Sequence, residues 1–266
     1  MTCRSKSAQH PEGFPTATVT DYRSPLWLVG RQQPSPRVHA TAWGQVRVER
    51  GNPTVLHRDI LDAVFSVAER ASQTPTGELY VLFDAAAVLN LLGTKADSRW
   101  LRQRLLDLMQ VVISTRSSNS DDWPPSRPLL TCVGDTDLDA GREEWQFPAK
   151  LKKIVLSPAA VQAMADDIQI VLDKKIVANV LGLRHAISRS LARWMMSHKT
   201  KQVHDVDALI DALGANQVGD RQRRAYVAQL TADVKGLAVL GIQINNNFVT
   251  YTRPEKGIWF QMPGAE

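Results

Sequence analysis

Two clusters of arginine and glutamine carry side chains suited to reading a nucleic acid: Arg99 with Arg102, Gln103 and Arg104, and Arg221 with Gln222, Arg223 and Arg224. A guanidinium forks onto the acceptors of guanine, a glutamine amide pairs with adenine, and the remaining cations grip phosphate. Tyr226 stands one turn beyond the second cluster, and Arg253 and Lys256 follow the last hairpin pattern. An arginine on one exposed helix is by itself a solvated charge. These clusters gain meaning because each follows the same local pattern.

That pattern runs Asp84-Ala-Ala-Ala-Val-Leu-Asn-Leu-Leu-Gly93 and again Asp205-Val-Asp-Ala-Leu-Ile-Asp-Ala-Leu-Gly214. The aspartate supplies an N-cap oxygen, the leucines form one apolar stripe, and the glycine ends the helix in a left-handed turn. The arginine-rich segment comes next in both copies, followed by Val111-Val-Ile-Ser-Thr in the first and Ile242-Gln-Ile-Asn in the second. A short capped helix, a turn, a basic helix and a β-ribbon make a winged helix-turn-helix. The predicted fold is therefore α+β, with two tandem winged helix-turn-helix domains.

The rest of the chain supplies the elements that must hold these helices. Residues 1–40 are rich in Pro, Ser and Gln and read mostly as a mobile arm, within which Tyr22-Arg-Ser-Pro-Leu-Trp-Leu-Val is able to dock as a short element. The first domain is placed at 41–137. It has a strand over Gln45-Val-Arg-Val-Glu, a helix with Ile60, Leu61, Val64, Phe65, Val67 and Ala68 on its apolar face, and a buried strand Leu79-Tyr-Val-Leu-Phe. The helix around Ser98–Met109 buries Leu101, Leu105 and Leu108, and Val111–Thr115 pairs with Leu129–Val133 as a wing.

A polar linker over Asp135–Glu144 leads to the second domain at 145–258, which opens on the strand Lys152-Lys-Ile-Val-Leu. Ser157-Pro158 has the form of an N-cap with proline at the first helical position. One long basic helix is predicted over 173–201, with Ile176, Val180, Leu183, Ile187, Leu191 and Trp194 as its buried seam and its bases as a soluble or phosphate-facing side. The helix from Arg221 buries Val227, Leu230 and Val234, and a last hairpin turns at Asn245-Asn246-Asn247, where asparagine tolerates positive φ.

The net charge is +5 over 266 residues, which favours a polyanionic partner only weakly. Its distribution says more: 173–201 holds seven Lys or Arg against Asp173 alone, and Asp205–Asp211 holds three acids and no base. No apolar run approaches the roughly 18 residues needed to span a bilayer. With no apolar core of a signal segment and only Cys3 and Cys132, the chain reads as a cytoplasmic bacterial protein without disulfides or membrane association.

Catalytic chemistry finds little support. There is no phosphate loop, no His-Glu-x-x-His, and no His-x-His pair with a tyrosine. His198 and His204 straddle a helix end without metal spacing, and the pairs Asp121-Asp122 and Asp166-Asp167 read as solvated charge. The expectation is a protein without enzymatic activity, cofactor or metal.

Over 150–254 the chain resembles plasmid replication initiators built from two winged helices, the group of IncQ-type RepC and TrfA. Carrying the resemblance are Lys153-Ile-Val-Leu-Ser-Pro, His185-Ala-Ile-Ser-Arg-Ser-Leu-Ala-Arg-Trp, Asp207-Ala-Leu, Arg221-Gln-Arg-Arg and Val249-Thr-Tyr-Thr-Arg-Pro, in the family's order. A weaker match over 44–133 runs through His57-Arg-Asp-Ile-Leu, Leu79–Leu92 with Gly93, and Leu105-Leu-Asp-Leu-Met-Gln-Val-Val-Ile. The resemblance implies binding to direct repeats (iterons) in double-stranded origin DNA, opening of adjacent A·T-rich duplex, recruitment of a replicative helicase or its loader, and an equilibrium between homodimer and DNA-bound monomer. It matches Arg221–Arg224 to the second recognition helix and Arg99 and Arg102 to the first. The competing expectations are a winged-helix transcriptional regulator, which would favour a palindrome, and a winged-helix scaffold that binds protein rather than DNA.

Overall fold

Asp84 and Asp205 do what their positions predict. Asp84 accepts from the N–H of Ala86 at 2.7 Å and Ala87 at 3.4 Å, and Asp205 from Asp207 at 2.9 Å and Ala208 at 3.0 Å. Gly93 and Gly214 end the two repeats at φ +62° and +83°, a conformation that costs glycine nothing. The computed structural model that shows this describes residues 17–23, 26–29, 36–40, 44–117, 122–135, 151–165, 167–215 and 218–261.

The described chain begins with β1 (Ala17–Thr18), α1 (Val19–Arg23), β2 (Arg37–Ala40) and β3 (Gly44–Arg50). Next come α2 (Val55–Ser66), β4 (Ala68–Gln73), β5 (Leu79–Asp84), α3 (Ala85–Leu91) and α4 (Ser98–Met109). β6 (Val112–Ser117), β7 (Arg127–Pro128), β8 (Leu130–Asp135), β9 (Leu151–Leu156) and α5 (Pro158–Ala165) complete the first half. The second half holds β10 (Gln169–Leu172), α6 (Lys174–Leu181), α7 (Ala186–Met196), β11 (Gln202–Asp205), α8 (Val206–Ile210) and a π-helical turn, Asp211–Ala215. It closes with α9 (Asp220–Ala232), α10 (Val234–Val239), β12 (Ile242–Asn245), β13 (Phe248–Tyr251) and β14 (Ile258–Gln261).

The strands form four antiparallel sheets, in the orders β2-β3-β6-β7, β4-β5-β9-β8, β1-β10-β14 and β11-β13-β12. Helices and sheets share one contiguous buried apolar cluster that runs from Ala17 to Ile258.

Four expectations are corrected. The arm expected over 1–40 is shorter: Tyr22, Leu26, Trp27 and Leu28 are buried, as expected of a docking segment, and Ala17 and Val19 are buried with them, because an apolar segment this dense is driven out of water wherever a core receives it. β1 pairs with β10, Arg23 donates to the hydroxyl and carbonyl of Ser197, and Leu28 bridges Thr54, so this segment touches both halves. Arg37–Ala40 of the expected arm form β2 and pair with β3, while residues 1–16, 24–25 and 30–35, and nearly all of the expected linker, lie outside the described residues.

The strand expected to open the second domain, β9, instead inserts between β5 and β8, with Asp84 opposite Leu151 and Leu79 opposite Leu156. The first wing also differs. β6 pairs with β3 along its length and with β7 only at Val112 and Ile113, while β8 has gone to β9. Strand partners are chosen by long-range burial, which local alternation does not encode.

The long helix is broken into α6 and α7. Gly182 caps α6, and the carboxylate of Asp233 receives the N–H groups of Arg184 at 3.2 Å and His185 at 2.9 Å, capping α7 from outside. The two pieces keep Ile176, Val180, Leu183, Ile187 and Leu191 buried.

Candidate nucleic-acid interface

α3 and α4 are joined through Gly93, and Asp97 caps α4 by accepting from Trp100 N at 2.9 Å. Leu101, Leu105 and Leu108 face the core, which turns Arg99, Arg102 and Gln103 outward. Arg104 and Gln103 both reach Asp107, at 2.9 and 3.2 Å, and Asp107 also stands 3.9 Å from His57 Nε2 on α2. Burial lowers the pKa of His57 even against this carboxylate. Asp107 therefore occupies Arg104, and the exposed cations of α4 are Arg99 and Arg102.

α8 and α9 repeat the arrangement with a different ion pair. Arg223 Nη2 lies 2.6 Å from Asp211 Oδ1, and its Nη1 is 3.2 Å from the Asp207 carbonyl and 3.4 Å from the Asp207 carboxylate. Its guanidinium ties α9 to α8 and raises its own pKa chiefly through the bond to Asp211. Arg221, Gln222 and Arg224 point to solvent. Tyr226 is a correction to the expected interface: at 5% exposure it packs in the core with Leu230. Val227, expected inside, is 38% exposed, because the inward face of α9 is the one carrying Tyr226 and Leu230; Val234, also expected inside, is 36% exposed and opens a separate helix, α10, where the single expected helix breaks at Asp233.

Behind α9 the sheet β11-β13-β12 closes the unit, with Asn246 at φ +53° in the hairpin turn. Arg253 does not extend freely beyond it. Its guanidinium donates to the Ile258 carbonyl and lies 5.1 Å from the centre of the Phe260 ring, fixing the connection from β13 to β14.

A buried ionic network that the sequence-based expectations do not contain joins α2 and α7. Arg193 on α7, read as part of a basic solvated face, is 3% exposed and bonds Asp59 and Asp62 of α2. Arg58 shares Asp62, which also accepts from Tyr22 Oη at 3.4 Å, and Arg189 reaches Asp59 at 2.9 Å. The available signal was the placement of Asp59 and Asp62 beside Ile60, Leu61 and Ala63 on a helix buried nearly all round. Carboxylates in such a position need cations from another element. Asp167, read as solvated, is also buried, its Oδ1 accepting from Ile168 N at 2.7 Å.

Among the described residues no three His, Cys, Asp or Glu side chains are grouped to hold a metal ion, and no helix is long and apolar enough to cross a membrane. His198 and His204 instead pack on Trp194, with ring centres 4.3 and 4.8 Å from the indole.

No protein-family model matches the chain, and no curated protein matches it significantly in sequence. Solved structures do match in fold. A selenomethionine derivative of domains 2 and 3 of RctB superposes with a TM-score of 0.55 at 12% identity, covering 92% of this chain and 96% of that one. A second structure of RctB domains 2–3 gives 0.53 at 12% identity, covering 87% and 94%. At 12% identity these likenesses show a shared fold, and they do not support the RepC and TrfA group that the sequence resembles.

Proposed function

We propose that this protein is a double-stranded-DNA-binding initiator of replication, acting at direct repeats in an origin. RctB, whose domains 2 and 3 share the fold, is a chromosome replication initiator of Vibrio. The observation that carries the proposal is the repeated unit: an aspartate-capped short helix, a left-handed glycine turn, and a helix that sends Arg99 and Arg102, or Arg221, Gln222 and Arg224, into solvent.

In the second half the order α7, β11, α8, π-helical turn, α9, α10, β12, β13, with sheet order β11-β13-β12, supports a winged-helix reading in which α9 is the recognition helix. α3 and α4 supply the corresponding pair in the first half, although its wing is built differently. Two similar but unequal recognition helices favour an asymmetric site, repeated head to tail, with major-groove contacts about 34–36 Å apart. In this reading the protein works without catalytic chemistry, and several bound copies share the cost of bending and opening A·T-rich duplex before a helicase or loader arrives.

The test is footprinting of the purified protein on its own replicon's intergenic DNA at two salt concentrations. Tandem protected repeats that survive moderate salt are expected. A lone palindrome at its own promoter would replace the initiator with a regulator. Weak binding that vanishes with salt, without a footprint, would remove DNA recognition from its function.

A further inference from the structure

α9 buries Tyr226 and Leu230 and commits Arg223 to α8. With successive residues about 100° apart around the helix, the opposite face carries Arg221, Arg224, Val227, Ala228 and Thr231, all exposed. The Thr231 hydroxyl donates to the Val227 carbonyl at 2.9 Å, so the group it leaves for an approaching surface is its methyl. No acidic residue occurs between Asp220 and Asp233 in the chain, and the carboxylates of Asp207 on α8 and Asp211 in the π-helical turn are drawn to Arg223. Asp220, exposed in the first turn of α9, shares this face with the two arginines, and beyond them it offers only the methyl groups of Val227, Ala228 and Thr231.

We infer that Val227 and Thr231 determine specificity by contacting the C5-methyl groups of thymine, next to bases or phosphates held by Arg221 and Arg224; this rests on the DNA-binding reading above. A thymine methyl is the apolar feature that a major groove offers such a patch. Valine suits the task because its branched side chain is already fixed at χ1 and loses little freedom on contact. The rise from Val227 to Thr231 is about 6 Å, so the pair spans roughly two base-pair steps. The cations beside the patch favour a polyanion over an apolar protein surface, for which charge at the centre of contact is unfavourable.

The experiment uses the full-length protein and duplexes it selects itself from a randomised library. Each thymine of the selected site is replaced in turn by deoxyuridine, which removes the methyl and nothing else. Wild type should bind roughly four-fold more weakly at a contacted position, the effect of one buried methyl-sized group. Val227→Ala should lose that discrimination at one position. Thr231→Ser, which keeps the hydroxyl bond, should lose it at a neighbouring one. Both substitutions lie on an exposed helix face, and circular dichroism checks that the fold is kept. Unchanged binding at every uridine, or the same loss in the variants as in wild type, would overturn the inference while leaving DNA recognition in place. Failure to select any site would remove the DNA-binding reading, and the methyl contact with it.

Discussion

Arg193 on α7 reaches Asp59 and Asp62 on α2 together, its Nη2 2.5 Å from Asp59 Oδ1 and its Nε 2.7 Å from Asp62 Oδ2. One guanidinium therefore couples the helix that packs on α9 to the helix that packs on α4. The orientation of the two candidate recognition helices passes through this contact. Burial works against the charge on Arg193, but the two carboxylates more than offset it, and its pKa lies above the usual arginine value.

Arg193→Met should destabilise the protein by about 3–5 kcal/mol, since it leaves two buried carboxylates short of a partner. Urea denaturation followed by circular dichroism measures this. A single variant as stable as wild type would show that the network does not hold the halves together.

Arg221→Ala and Arg224→Ala should each reduce discrimination between the preferred site and a mutated one by about 1–3 kcal/mol if the side chain reads a base. If either grips phosphate instead, affinity falls for all sequences and the salt dependence flattens. Arg223→Ala should act differently, loosening α9 from α8 without shifting the preferred base at any one position. Competition binding with single-base variants of the site separates the three outcomes.

Gly241→Ala should disrupt the hairpin base. Gly241 sits at φ +77°, and an added Cβ would fall 2.1 Å from the Thr252 carbonyl oxygen. The paired bond from Thr252 N to the Gly241 carbonyl, 2.9 Å long, would have to open. Faster amide exchange in β12 and β13 than in α2 is the expected signature, and equal protection in the variant and wild type would contradict it.

Stability should fall as pH drops from about 6.5 to about 4, in part because burial lowers the pKa of His39 from 6.5 to about 4. Between those values the unfolded chain binds a proton that the folded chain refuses, so acid favours unfolding; above the window the contribution is fully present. His57 and His198 are also lowered by burial and act in the same sense. Denaturation midpoints of wild type and His39→Gln across this range should converge toward acid. A constant difference would contradict the assignment.

The sequence reading found local elements well wherever a short-range cause sufficed. Asp84, Asp205, Gly93, Gly214, the Ser157 cap, the Leu101–Leu105–Leu108 stripe and the asparagine turn were all legible, because each concerns groups within a few residues of one another. The interface was legible only in outline. Arg99, Arg102, Arg221, Gln222 and Arg224 face solvent as expected, whereas Tyr226 and Val227 exchanged places. A rotation of one residue in helical register decides which of two adjacent apolar side chains is inside, and periodicity alone leaves that margin open.

The repeated capped helices, their order and the segregation of their charge are written in the amino-acid sequence, since backbone capping and helical spacing are local. Only the tertiary structure decided that β9 completes the sheet of the first half, that α6 and α7 are separate, and that Arg193 is a buried partner of α2 rather than a surface charge. Each of these depends on groups far apart in the chain. Asp233 caps a helix it does not belong to, and Asp59 and Asp62 gain from α7 a shared cation that Arg58 on their own helix does not supply to Asp59.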